Sequence, residues 1–283
     1  MPPRDNPSAR QVRLGAELRK LRECAGRTAR EAAGLISTDQ AKISHIEAGR
    51  IGISEDRIRR LAAFYGCRDE ALIEALCVIA REHRGKGWWE AYRGVLAQRF
   101  LDIAELEHHA LHLRALQPVT FPGVFQTESY ARALFGTVIP KLSAEEYEAR
   151  VEHRLKRRAI FERDNPPPFQ ALVHEAALRV RVGGRKVALE QLEHLLEVSE
   201  RPHVTVRVIP FVNDEIELTQ TVLYAGGVVP QLDTVQIDTP FGGRYLDATA
   251  QLAQYGELLD LAEHASLGPG ESRNFIHHVA REL

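Results

Sequence analysis

The sequence predicts two domains of different class: an all-α five-helix domain followed by an α+β domain with a small mixed sheet. Three observations carry this. Apolar residues recur at helical spacing in successive short runs up to residue 84. Beyond Pro166-Pro167-Pro168 the pattern changes to short β-branched segments. The charge also changes sign along the chain. Residues 1–68 hold 14 Lys and Arg against 8 Asp and Glu, whereas residues 69–283 hold 23 against 31. A basic module that meets a polyanion, joined to an acidic one that does not, is the simplest reading. At 283 residues two cores are favoured over one.

The first helix carries Leu14, Leu18, Leu21 and Ala25 on one face, and the second Ala29, Ala32, Ala33 and Ile36. The third is short, with Ile43 and Ile46 inward. Ile58, Leu61, Ala62 and Tyr65 repeat the spacing on the fourth, and Leu72, Ala75, Leu76 and Ile79 on the fifth. Thr28 and Glu31 have the spacing of a capping box, and Ser54 stands where an N-cap is expected. Gly85-Lys86-Gly87 then breaks the pattern before Trp88, Trp89 and Tyr92, which are expected to dock on the second domain.

A helix is expected over 100–116, a Pro/Gly interruption at Pro118, Pro122 and Gly123, and a short helix over 127–136. A capping box at Ser143 and Glu146 opens a long helix expected to reach Arg163, where the prolines end it. Strands are expected at 169–174, 203–211, 221–224 and 234–237, and helices at 186–199 and 247–264.

The most informative stretch is residues 28–50, TAREAAGLISTDQAKISHIEAGR. Two short helices joined by a tight turn need a small residue where they cross, here Ala33, and an apolar pair where the second packs on the first, here Ile43 and Ile46. Turning that pair inward puts Gln40, Ala41, Ser44 and His45 outward at ~100° per residue. Those side chains suit the edges of bases in a major groove, Gln40 that of adenine and the Ala41 methyl that of thymine. Lys42, Arg30 and Arg50, with the amides after Thr28, suit phosphates.

Residues 10–82 resemble the DNA-binding domain of the lambda-repressor-like (XRE) helix-turn-helix family, most specifically in the ending Ile-Ser-His-Ile-Glu-Ala-Gly-Arg. One departure is Ser37 at the turn position often held by Gly, which would be strained at positive φ. The resemblance also places Arg22 opposite Glu47 as an ion pair between the first and third helices. Residues 100–283, through FPGVFQTESYARA at 121–133, HEAALR at 174–179, Gly183-Gly184, QLEHLL at 191–196 and VRVIPF at 206–211, resemble the domain of unknown function of WhiJ-like actinobacterial regulators. That resemblance implies a regulator with a DNA-binding domain at 1–84, a hinge and docking segment at 85–99, and a domain at 100–283 that receives a signal, from a ligand or a small partner protein.

The expected partners are therefore double-stranded DNA and a second copy of the chain, as a homodimer. Two other readings stand beside this one. One is the antidote half of a toxin pair; the other is a DNA-localised hydrolase or transferase using the carboxylates Asp214, Glu215, Asp233 and Asp238. No spacing supports a catalytic site, so the chain is expected not to be an enzyme. Nor is a metal or other cofactor expected. Glu107, His108, His109 and His112 form the densest ligand-like cluster, with His108 and His112 at i, i+4, but it lacks the HExxH order. Cys24, Cys67 and Cys77 have no CxxC spacing and read as reduced thiols. The basic run from Arg150 to Arg163 reads as a solvated helix face paired with Glu146, Glu148 and Glu152. A composition of 44% hydrophobic and 27% charged residues excludes disordered and fibrous classes. No apolar window is long enough for a membrane span and no signal peptide is evident, so the expected location is cytoplasmic.

Overall fold

A computed structural model describes residues 5–82, 87–213, 216, 219–239 and 242–283. The N-terminal part is five helices: α1 (Ala9–Cys24), α2 (Ala29–Leu35), α3 (Gln40–Glu47), α4 (Glu55–Phe64) and α5 (Glu70–Arg81). Their apolar faces close one core around Leu18, Ile36, Ile43, Ile58, Leu61 and Leu76, each almost fully buried. Ser8, Thr28, Asp39 and Asp69 cap α1, α2, α3 and α5 through side-chain oxygens, satisfying donors that a helix end leaves free.

After a 3-10 segment at Trp88–Tyr92 come α6 (Gln98–His109), β1 (His112–Gln117), α7 (Glu128–Gly136), α8 (Ala144–Lys156) and a second 3-10 segment at Arg157–Glu162. Then follow β2 (Phe169–His174), α9 (Glu175–Arg179), α10 (Arg185–Val198), β3 (Val204–Ile209), β4 (Val222–Gly226), β5 (Thr234–Thr239), β6 (Gly242–Leu246), α11 (Thr249–His264) and α12 (Pro269–Glu282). The strands form one six-stranded mixed sheet in the order β3-β2-β1-β4-β5-β6. β1, β2 and β3 run parallel, and β4, β5 and β6 continue antiparallel from β1.

One sheet face, through Ala115, Ala171, Val206 and Leu223, packs with α10, α12 and the 121–125 segment into the main core. The other, through Leu116, Leu172, Val222 and Val235, packs on α11. Arg114 on that second face reaches Asp260 at 2.7 Å and Glu263 at 3.3 Å, tying α11 to the strand.

Two expectations are corrected. The helix expected over 100–116 ends at His109, and residues 112–117 are instead β1, the strand joining the parallel and antiparallel halves of the sheet. HLRALQ has no β-branched residue, so tertiary pairing on both edges overrides its local preference. The helix expected to reach Arg163 is α-helical only to Lys156 and tightens to 3-10 geometry beyond. β6, α9 and α12 were not expected. Trp89 and Tyr92 are buried in a cluster with Leu96, Leu101 and Ala104, against α6. Gly85 and Lys86 lie outside the described residues.

The β4–β5 connection crosses to the N-terminal domain. Val229 is buried within that domain's core and Leu232 packs beside it. Arg13 donates to the carbonyl of Gln231, and Gln231 donates to Asp69 at 2.8 Å. Arg10 grips Glu82 with two bonds of 2.6 and 2.7 Å, and the amide of Ala9 donates to Asp102 of α6 at 3.2 Å. The side formed by α1 and α5 therefore faces the sheet domain.

Candidate nucleic-acid interface

Glycines set how closely α1 and α3 approach. A Cβ on Gly15 would lie 2.5 Å from the carbonyl oxygens of Ile46 and Glu47, so no larger residue fits without moving a backbone. Gly49 follows α3 at φ +71°, where a Cβ would meet the backbone of Gln11 at 2.8 Å. The turn between α2 and α3 puts Ser37 at φ 54°, the left-handed conformation that the missing glycine would have taken without strain.

Arg22 and Glu47 meet across this crossing. Arg22 Nε donates to Glu47 Oε1 at 2.6 Å and Nη2 donates to Oε2 at 2.9 Å, a bidentate pair with both side chains largely buried. The Arg22 Nη1 also donates to the Arg27 carbonyl at 2.9 Å. Hydrogen bonding to Glu47 holds the Arg22 guanidinium above its ordinary range. Burial beside the pair pushes the Tyr65 hydroxyl up to about 12. One pair thus fixes the turn after α1 and the C-terminal end of α3 together.

With Ile43 and Ile46 buried, α3 turns Gln40, Ala41 and Ser44 to solvent, with His45 half-buried at the edge. The Ser44 hydroxyl donates to the Gln40 carbonyl at 3.2 Å and keeps its lone pairs for another partner. Arg30 and Arg50 are exposed and Lys42 is half-buried. Among the described residues, no carboxylate lies within ion-pair distance of these three. Elsewhere in the domain Arg10, Arg19, Arg22, Arg59 and Arg81 have one, while Arg57, Arg60 and Arg68 have none among the described residues.

Thr28 is differently placed. Its amide donates to Glu31 at 2.7 Å and its hydroxyl at 2.8 Å, and its hydroxyl oxygen accepts from the Glu31 amide at 3.2 Å, so of the amides after Thr28 that were expected to suit a phosphate the capping box uses that of Glu31. Glu31 is held below the usual carboxylate range by those bonds from Thr28. Asp39, which the sequence reading did not single out, accepts from the Lys42 amide at 2.7 Å and fixes the start of α3. Its signal was an Asp immediately before the first inward-facing turn.

Among the described residues the histidine cluster does not gather on one face. His108 ends α6 and contacts Arg163, while His112 lies in β1 stacked on Tyr224, so they share no helix face. Glu107 is spent on a bidentate pair with Arg157, at 2.7 and 2.5 Å. Asp233 accepts from the Tyr224 hydroxyl at 2.7 Å and the Gly227 amide at 2.8 Å. Asp238 accepts from Gln236, and Asp214 and Glu215 lie outside the described residues. The basic run is only partly a solvated face. Arg150 pairs with Glu146 and Lys156 with Glu152, but Glu148 pairs with Arg132 of α7, and Arg154 and Arg157 turn into the domain.

A helix-turn-helix domain family matches residues 13–76, and a family described as a domain of unknown function (DUF5753) matches residues 100–278. The chain belongs to the DUF5753 family. Its DUF5753 domain follows a helix-turn-helix domain that points to a DNA-binding transcription regulator. No curated protein and no solved structure matches the chain. Among the described residues no helix is long and apolar enough to cross a membrane.

Proposed function

We propose that the protein is a sequence-specific transcription regulator that binds double-stranded DNA as a homodimer, with α3 in the major groove. The DUF5753 domain receives the signal and carries no catalysis of its own. The observation that carries this reading is the α3 face of exposed Gln40, Ala41 and Ser44 with half-buried His45 at its edge, rimmed by Arg30, Lys42 and Arg50, which have no carboxylate partner among the described residues. Cations left uncompensated around a polar helix face suit a polyanion, since each phosphate neutralised releases counterions. Base readout then falls to Gln40 and its neighbours, while Arg30, Lys42 and Arg50 position the helix without specifying sequence. Thr28 contributes by capping α2.

The seam with the sheet domain lies on α1 and α5, leaving the α3 face free for DNA. A signal that repositions the sheet domain would act through Val229 and Arg13. The test is selection of an operator from a random duplex library with the full chain. The expected result is an enriched pseudo-palindrome whose half-sites lie about one helical turn apart. Recovery of no enriched sequence overturns the assignment, and a single enriched half-site overturns the dimer.

A further inference from the structure

The DUF5753 domain has a half-open cavity of about 340 Å³ on the sheet face turned away from α11, bordered by α6, α8 and the 119–126 segment. That volume is in the range of small-molecule sites. Its walls are unusual in their polarity. Glu107, Gln117, Gln126, Arg157 and Gln236 all border it, and each is less than a tenth exposed. A void that only had to be filled would be lined with apolar side chains, because each buried polar group left unpaired costs ~1–3 kcal/mol.

Part of this polarity is internally satisfied. Arg157 and Glu107 neutralise one another, Gln236 donates to Asp238 at 2.6 Å, and Thr120 donates to Gln117 Oε1 at 3.0 Å. Gln126 donates to the Phe121 carbonyl at 2.8 Å and accepts from Arg154 Nη1. Other groups of the lining residues have no hydrogen-bond partner among the described residues: the Arg154 Nε and Nη2, the Gln117 amide nitrogen and the Tyr245 hydroxyl as donors, and Gln236 Oε1 and one Asp238 oxygen as acceptors, with the Arg154 guanidinium lying 4.8 Å from the centre of the Phe135 ring. Arg154 makes no ion pair among the described residues, and burial, then Arg157, bring its guanidinium down to about 9. Among the described residues that line the cavity, three are arginines, Arg99, Arg154 and Arg157, and two are carboxylates, Glu107 and Asp238.

The backbone is cleared for these side chains. A Cβ on Gly123 would lie 2.7 Å from Arg157 Nη1, one on Gly243 2.7 Å from Gln236 Nε2, and one on Gly242 2.5 Å from Arg99 Cδ. α6 is a wall shared with the seam. Its Arg99, Ile103 and Glu107 border the cavity, while Asp102 and His109 face α1 and α5, with Asp102 bonded to Ala9.

We propose that this cavity binds a small polar molecule by a carboxylate or phosphate group seated on Arg154, with Gln117 and Tyr245 also donating and with Asp238 and Gln236 accepting from its hydroxyl or amino groups. The inference deepens the regulatory reading by naming the chemistry of the signal, and its test uses no DNA, so either can fail alone. Calorimetric titration of the full chain with succinate, inorganic phosphate and succinamide decides it. Saturable binding of succinate, of phosphate or of both is expected, and none of succinamide; which anion binds identifies the group. Arg154→Gln should weaken that binding roughly tenfold or more, as loss of a charge-assisted hydrogen bond requires. A cooperative melting transition of ligand-free Arg154→Gln shows that the variant is folded, and any loss of its bond to Gln126 and its contact with the Phe135 ring is read there, separately from binding. Absence of saturable anion binding, or equal binding by wild type and a folded Arg154→Gln, would each overturn the proposal.

Discussion

The helix-turn-helix domain treats its cations in two ways. Toward the sheet domain they are matched: Arg10 with Glu82, and Arg13 with Glu17 and the Gln231 carbonyl. Around α3 they are not: exposed Arg30 and Arg50 and half-buried Lys42 have no carboxylate near among the described residues. The acidic residues nearest that rim are committed locally, Glu31 to Thr28 and Asp39 to the Lys42 amide. Arg57, Arg60 and Arg68 also lack a carboxylate among the described residues, so what sets the α3 rim apart is that its open cations surround one polar helix face. The cavity beside Arg154 repeats the lesson at smaller scale.

The difference depends on α3 being held at one distance from α1, so the largest effect is expected from breaking that crossing. Gly15→Leu drives a side chain into the carbonyls of Ile46 and Glu47 and should cost ~3 kcal/mol or more, read as loss of the cooperative urea transition of the domain. Next comes the matched pair inside the crossing. Truncating Arg22 or Glu47 alone should cost ~3 kcal/mol, and a double-mutant cycle should return strong coupling. Coupling near zero would place both side chains with the independent surface charges.

On the matched side, Val229→Ala opens the seam and should cost ~2 kcal/mol of N-terminal stability although the residue lies in the other domain. An unchanged urea midpoint would uncouple the two. The smallest effect is a pH dependence. Glu105 sits on α6 with one carboxylate oxygen unbonded, and burial pushes it up to about 7, against the opposing pull of the Ser8 hydroxyl and Arg10. A folded-state value above the unfolded one means that the folded protein binds the extra proton. Its contribution is therefore full below about 4.5 and is lost as pH rises through about 7. Glu105→Gln should flatten the decline in melting temperature across that window, and an identical profile would remove Glu105 as its source.

What could be read from sequence follows the range of the interactions. The N-terminal helices announce themselves through caps and periodicity within a turn or two of each residue, and even the strain at Ser37 was legible as a departure from glycine. Gly15 was overlooked although a glycine inside an amphipathic helix is itself a signal of close approach. In the DUF5753 domain, β1 has no local strand signal and is made by two neighbours distant in sequence. Arg157 turns inward because Glu107, fifty residues earlier, receives it, and no spacing within the basic run records that. α12 did carry a legible start, Pro269 as its first residue and Glu271 bonded back to the Gly268 amide at 2.9 Å. That signal was missed, not absent.

The central claim is that α3 reads bases while its rim holds phosphates, and a salt-titrated binding comparison of two variants on the selected operator and a scrambled duplex tests it most directly. Gln40→Ala should lose ~1–3 kcal/mol on the operator and little on the scrambled duplex. Arg50→Ala should weaken both alike and reduce the slope of log affinity against log salt by about 1. Equal losses for Gln40→Ala on the two duplexes would contradict the account, because α3 would then position the protein without reading the sequence.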